Sequence, residues 1–224
     1  MKIVDTCRGA ALSCPFKALY YSLLTAFVFG LMSSVSLASS AEDQVTKIQK
    51  TYENIKDIKG SFVQKSYIKD LKRTDSFNGR FLIKPPIMIC EYTGDKAQVI
   101  YIKNDEIIIY QKKENQVIKA RFDRATYGQT PIALLAGFGD IRKEFDILPE
   151  YTDRLVMKPK NSMGNISRIE ITTSEGPFPI KSLVILDSLS NKTEILLTDV
   201  KTNTGLKNSA FDFTPPKNAA LLEY

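Results

Sequence analysis

Residues 87–122 read IMICEYTGDKAQVIYIKNDEIIIYQKKENQVIKARF, and the reading of this stretch decides the fold. Four short runs rich in Ile, Val and Tyr (87–93, 97–103, 106–112 and 116–122) are divided by the polar links TGDK, KND and KEN. Runs of this length and composition are strands. Links this tight join antiparallel neighbours, whereas parallel strands need a long crossover, so the stretch is an antiparallel meander. Strands such as EIIIYQ carry apolar residues on both faces, so their register cannot be assigned from the pattern.

The same style extends in both directions. Upstream lie SFVQKSYI (61–68) and GRFLIK (79–84); downstream lie EFDIL, RLVMKP, ISRIEITT, IKSLVILD, TEILLTDV and finally AFDFTPP (210–216). No repeat and no Gly/Ser linker divides them. The expectation is one twisted antiparallel sheet of about ten to twelve strands in an α+β chain, and a sheet that large must curl or gain a second layer.

Two helical pieces are available to cover it. Residues 43–58, DQVTKIQKTYENIKDI, place Val45, Ile48, Tyr52 and Ile55 on one helical face, with a polar face of mixed charge opposite. Residues 127–140, YGQTPIALLAGFGD, open with a Thr130 cap and a first-turn Pro131 and stop at Gly137 and Gly139. Between these signals Ile132, Ala133, Leu134, Leu135 and Ala136 leave no polar side. Two short helices are too little to cover the sheet completely, so an unsealed concave face is expected. Leu82 with Ile108, or Leu183 with Ile185, are the aliphatic pairs picked out to line it.

Residues 1–41 have the layout of a secretory signal peptide: Lys2, Arg8 and Lys17, then ALYYSLLTAFVFGLM, then SSVSLASSA, with a cut after Ala38 or Ala41. Residues 42–224 are then one exported domain with 28 Lys and Arg against 24 Asp and Glu. That surplus is spread out rather than gathered with aromatics on one element, which argues against nucleic acid. Cys90 is left without a partner once Cys7 and Cys14 are removed, and reads as a small buried apolar residue. The chain has no histidine. Its absence removes Ser-His-Asp and Cys-His nucleophiles and most catalytic zinc sites. No cofactor or metal is expected, and the balance leans away from an enzyme.

Four stretches, taken in order, resemble the periplasmic outer-membrane lipoprotein carrier (LolA) family: GSFVQK (60–65), KPPIMICEY (84–92), QTPIALLAG (129–137) and FDFTPPK (211–217). The resemblance implies an open half-barrel sheet with helices as a lid over an apolar cavity. It implies a non-enzymatic periplasmic chaperone, monomeric, that takes acylated lipoproteins from an inner-membrane ATP-driven releasing complex (LolCDE) and passes them to an outer-membrane receptor (LolB). A lipid- or peptide-binding sensor on the same half-barrel is the alternative. Phe62, Phe81, Leu82, Met88, Tyr92 and Leu183 are the expected cavity residues, with plain core as their other reading. Tyr52, Ile132, Leu134, Leu135 and Ala136 form the expected lid. The family's lid-latching arginine falls on Lys84, which would reach the carbonyls of Tyr52, Leu135 and Ala136. Here Lys replaces Arg and Pro85-Pro86 replaces Pro-Gly, and a lysine lacks the planar fork of a guanidinium.

Overall fold

The computed structural model describes residues 40–123, 131–136, 140–149, 151 and 153–224. The signal-peptide reading of residues 1–39, the Thr130 cap and the Gly137 and Gly139 stops lie outside those residues. Helix α1 (Ala41–Asn54) starts in a capping box. The Ser40 hydroxyl accepts from the Asp43 amide at 3.1 Å and the Asp43 carboxylate accepts from the Ser40 amide at 3.2 Å, satisfying two donors that a helix start leaves open. The helix stops short of the expected residue 58 because Ile58 already belongs to the sheet, buried and paired with both Ile83 and Thr202.

Twelve strands follow: β1 (Ile58–Ile68), β2 (Arg73–Lys84), β3 (Ile87–Thr93), β4 (Gln98–Lys103), β5 (Glu106–Gln111), β6 (Gln116–Arg121), β7 (Phe145–Leu148), β8 (Leu155–Pro159), β9 (Ile166–Thr173), β10 (Ile180–Asp187), β11 (Lys192–Thr202) and β12 (Ala220–Glu223). They make one open sheet in the order β12-β6-β5-β4-β3-β2-β1-β11-β10-β9-β8-β7. The meander from β1 to β6 is antiparallel throughout, as the tight links require. Asn104, in the two-residue link between β4 and β5, has φ 56°, the left-handed conformation such a link demands.

At the centre, β1 and β2 interlock through two G-x-F triplets. Gly60 lies opposite Phe81, and Phe62 lies opposite Gly79. Each ring covers the glycine across from it: a Cβ on Gly79 would stand 2.5 Å from the Phe62 ring and 2.4 Å from the Glu91 carbonyl, and one on Gly60 would stand 2.9 Å from the Phe81 ring. The rings thus lie flat on the sheet surface. Beside them a bulge between β1 and β11, with Asp199 at φ 52°, adds bend.

The terminal stretch departs from the expected strand. Residues 210–216 do not pair; Asn208–Phe211 forms a 3-10 turn, and the closing strand is instead β12, which runs parallel to β6. Pro215 and Pro216 lack the amide that a ladder needs. The segment between β11 and β12 crosses the outer face of the sheet, where Phe211 is buried with Ile89 and Val99, and Phe213 packs on Tyr101 at 5.9 Å. Asp57, only 3% exposed, anchors its start: the carboxylate accepts from the Thr204 amide and hydroxyl at 2.8 and 2.9 Å, the Gly205 amide at 2.9 Å and the Leu206 amide at 3.2 Å. Burial opposes the charge, yet the hydrogen bonds from Thr204, Leu206 and Gly205 outweigh it and hold Asp57 below its ordinary 3.8.

Two outcomes follow. Gly79→Ala should cost about 1–3 kcal/mol through overpacking against rigid backbone, and Gly60→Ala less, because a ring tip can shift; chemical denaturation ranks the two. A folded-state pKa below the unfolded one means that the Asp57 contribution is complete above pH 3.8 and lost as pH falls through the lower value. Asp57→Asn should therefore lower the thermal midpoint at neutral pH, with the gap to wild type closing under acid.

Candidate functional site

Period-2 alternation sends Phe62, Phe81, Met88, Cys90, Tyr92, Leu183 and Ile185 to one face of the sheet, where all are buried in a single apolar cluster. Phe62 meets Tyr92 edge-on at 5.0 Å, and Tyr92 meets Phe77 at 6.0 Å. The floor carries one polar line: Tyr92 donates to Gln64 Oε1 at 3.0 Å, and Gln64 Nε2 donates to Ser66 Oγ at 3.1 Å. Burial, and secondarily Cys90, pushes the Tyr92 hydroxyl well above its ordinary pKa; burial, and secondarily Glu91, does the same to the Cys90 thiol. Both stay protonated, and Cys90 is a packing residue rather than a nucleophile.

The lid is built from three pieces. Residues 131–136 form a 3-10 segment rather than a regular α-turn; Ile132, Ala133, Leu134 and Leu135 are all at most 1% exposed, and Ala136 packs at the margin. Helix α1 brings Val45 and Ile48 into the same cluster, with Tyr52 half-buried beside it. A short helix α2 (Ile141–Glu144), capped by Asp140, adds Ile141. Fully burying an aliphatic side chain is worth about 1.5–3 kcal/mol, so the lid closes on apolar contact.

Polar contacts fasten its rim. The Tyr52 hydroxyl donates to the Leu135 carbonyl at 3.2 Å, joining α1 to the 3-10 segment. Arg142 on α2 reaches across to α1: Nε and Nη2 donate to Glu42 Oε2 at 3.0 and 2.9 Å, Nη2 to Thr46 Oγ1 at 2.9 Å, and Nη1 to Gln49 Oε1. Gln49 in turn donates to Asp140 at 3.3 Å. At the other end of α1, Asn203 donates to the Asn54 carbonyl at 3.2 Å, and a cleft of about 370 Å³ opens there between Lys50, Ile55 and Pro177.

The structure therefore unites Phe62, Phe81, Met88, Tyr92 and Leu183 with Tyr52, Ile132, Leu134, Leu135 and Ala136. It separates three expected residues from them. Leu82 is on the outer face, packed with Ile89 and Val99, because its neighbours Phe81 and Ile83 both point inward; Ile108 alternates outward in the same way between Ile107 and Ile109. Lys84 shares the Leu82 parity. Its amine donates to the Leu206 carbonyl at 3.1 Å and to Asn208 Oδ1 at 2.8 Å, so it clamps the segment crossing the outer face and does not touch the lid. Arg142, the cross-lid arginine, was not expected; its partners lie some hundred residues upstream, and only the charge reversal between Glu42 and Arg142 could have hinted at it.

Among the described residues no group of acidic, cysteine or histidine side chains is placed to hold a metal ion, and no helix is long and apolar enough to cross a membrane. Residues 53–214 match the family model of the outer membrane lipoprotein carrier protein LolA. The chain is 27% identical to an outer-membrane lipoprotein carrier protein of Neisseria meningitidis, over 84% of this chain and 91% of that protein. It is also 27% identical to the protein of that name from Cupriavidus pinatubonensis, over 88% and 93%. An uncharacterised conserved protein from Thermus thermophilus shares the fold, with a TM-score of 0.52, 13% identity, and coverage of 82% of this chain and 99% of that one.

Loosening the rim should open the lid without disturbing the sheet. Arg142→Ala, which removes exposed charge pairs, should weaken lid closure by up to about 1 kcal/mol, and Tyr52→Phe by about 0.5–1.5 kcal/mol. Native-state hydrogen exchange should show several-fold faster exchange in α1 while β1–β3 stay protected. Unchanged α1 protection in both variants would remove these contacts from the lid's fastening.

Proposed function

The chain belongs to the outer membrane lipoprotein carrier family LolA, and from that premise we propose that its apolar interior receives the acyl chains of lipoproteins and shields them from water. The observation that carries this reading is the lid segment 131–136, whose four successive side chains from Ile132 to Leu135 are spent on filling the interior. A buried CH₂ is worth about 0.8 kcal/mol, so one long acyl chain exposed to water costs on the order of 10 kcal/mol. The lid's own apolar side chains supply several kcal/mol of competing contact. An incoming chain replaces them, so the net affinity is the difference, small enough for the cargo to be handed on.

The working cycle follows from that exchange. An inner-membrane ATP-driven complex (LolCDE) loads the carrier by displacing the lid, the closed protein crosses the periplasm as a monomer, and an outer-membrane receptor (LolB) takes the acyl chains. No covalent step is involved. Of the two leader cuts, after Ala38 or after Ala41, the earlier one would keep the Ser40 cap and the buried Ala41 in the exported chain, which supports that position.

A fluorescent fatty-acid probe tests the reading. Binding should saturate and be competed by unlabelled acyl chains; Leu183→Asp, on the floor, should abolish it, and Leu196→Asp, exposed on the outer face, should leave it intact. A folded protein that binds no probe contradicts the carrier reading, as does equal loss in both variants.

A further inference from the structure

Two hairpin tips at one corner of the sheet carry leucines that stand exposed among the described residues. Leu71, in the turn between β1 and β2, is 61% exposed, and Leu189, in the turn between β10 and β11, is 63% exposed. The two turns are neighbours: the Lys69 amide donates to Asn191 Oδ1 at 2.9 Å, and Tyr67 pairs with Lys192. Tyr67, itself 39% exposed, lies four residues before Leu71, near the end of β1.

The tips are fixed. One carboxylate, Asp187, accepts from the Leu189 amide at 2.9 Å, the Asn191 amide at 2.8 Å, the Asn191 side chain at 2.8 Å and the Asn165 side chain at 3.2 Å. Lys72 and Ser190 hold left-handed conformations, φ 47° and 63°, that close the two turns. Exposed leucines on fixed turns form a ready apolar surface rather than a fluctuating loop.

Lys69, Lys72 and Lys192 flank the tips together with Asp70, Asp187 and Glu194; Asp187 is taken up by the amides of its own turn and Glu194 by Lys192, and among the described residues Lys69 and Lys72 make no ion pair. Arg73 is engaged by Asp75.

We propose that this corner, Leu71 and Leu189 with Tyr67, Lys69 and Lys72, is a docking surface for an anionic phospholipid membrane. Side chains on convex tips offer no groove for a peptide, but they suit a planar boundary: the leucines enter the headgroup region, the tyrosine sits at its level, and the lysine amines stay with the phosphates. The contact is peripheral and reversible, and it seats the protein at a bilayer independently of whether the interior holds acyl chains.

The chain contains no tryptophan, so a single introduced indole reports without background. Leu71→Trp and Leu189→Trp are to be compared with Leu196→Trp, 43% exposed on the outer face, using vesicles of phosphatidylcholine alone or mixed with phosphatidylglycerol. Both tip indoles should shift to the blue and be quenched by brominated acyl chains on the mixed vesicles. The shift should weaken on neutral vesicles and in about 1 M salt, where screening is complete within about 3 Å, and the Leu196→Trp protein should not respond. Absence of a tip response to mixed vesicles overturns the proposal, as does an equal response at position 196 or a response only to added protein. A Leu71→Ser/Leu189→Ser protein should still load the fatty-acid probe, so failure here is distinct from failure of the carrier reading.

Discussion

The structure depends on how two phenylalanines are laid against the sheet. Gly60 and Gly79 are the only residue type that lets Phe81 and Phe62 lie across the neighbouring strand, because a Cβ at either position would stand under 3 Å from the ring. With the rings flat, the middle of the sheet presents a smooth apolar floor, and Tyr92 stacks edge-on beside Phe62 at 5.0 Å. Standing rings would fill the concavity; flat ones leave its volume to the lid. The adjoining bulge at Asp199 bends β11 at the same level, so curvature and floor are set by the same few residues.

On that floor the lid is stabilised in two different ways. Its apolar side chains supply most of the closing energy and are of the same kind as an acyl chain, the likeness on which the proposed exchange with cargo rests. Its polar contacts, Tyr52 to Leu135 and Arg142 to Glu42, Thr46 and Gln49, lie at the rim, where water replaces them on opening. They orient the closed state and cost little to break. The outer face is treated oppositely: Asp57 and Lys84 fasten residues 204–208 across it with a buried carboxylate and an amine. One face of the sheet is thus covered by a segment held through a buried carboxylate and an amine, and the other by apolar side chains with polar contacts at the rim.

Much of this was legible in the order of residues. Short β-branched runs and tight polar links specify an antiparallel meander, and a segment without a polar side must be buried all round. Parity was harder. Leu82 and Lys84 sit one residue from Phe81 and Ile83, and a one-residue slip in assigning faces moves every side chain to the opposite surface; the glycine-phenylalanine pairs, GSF and GRF, were the signal that would have fixed the phase. The stretch FDFTPP alternates like a strand, but its prolines cannot join a ladder, and the true closing strand is only ALLE, too short to stand out. Arg142 left little more than its charge opposite Glu42 to go on, because a clamp between helices far apart in sequence leaves no local pattern.

In the proposed cycle the acyl chain occupies the space that the lid side chains now fill. Photo-crosslinking with a fatty acid bearing a diazirine near its methyl end, followed by mass-spectrometric mapping, tests it most directly. Adducts on Phe62, Met88, Leu183 and the 132–135 segment, competed by unlabelled lipid, are the predicted result. Adducts confined to outer-face residues such as Leu82, Tyr101 or Phe213, with the interior unlabelled, would contradict it.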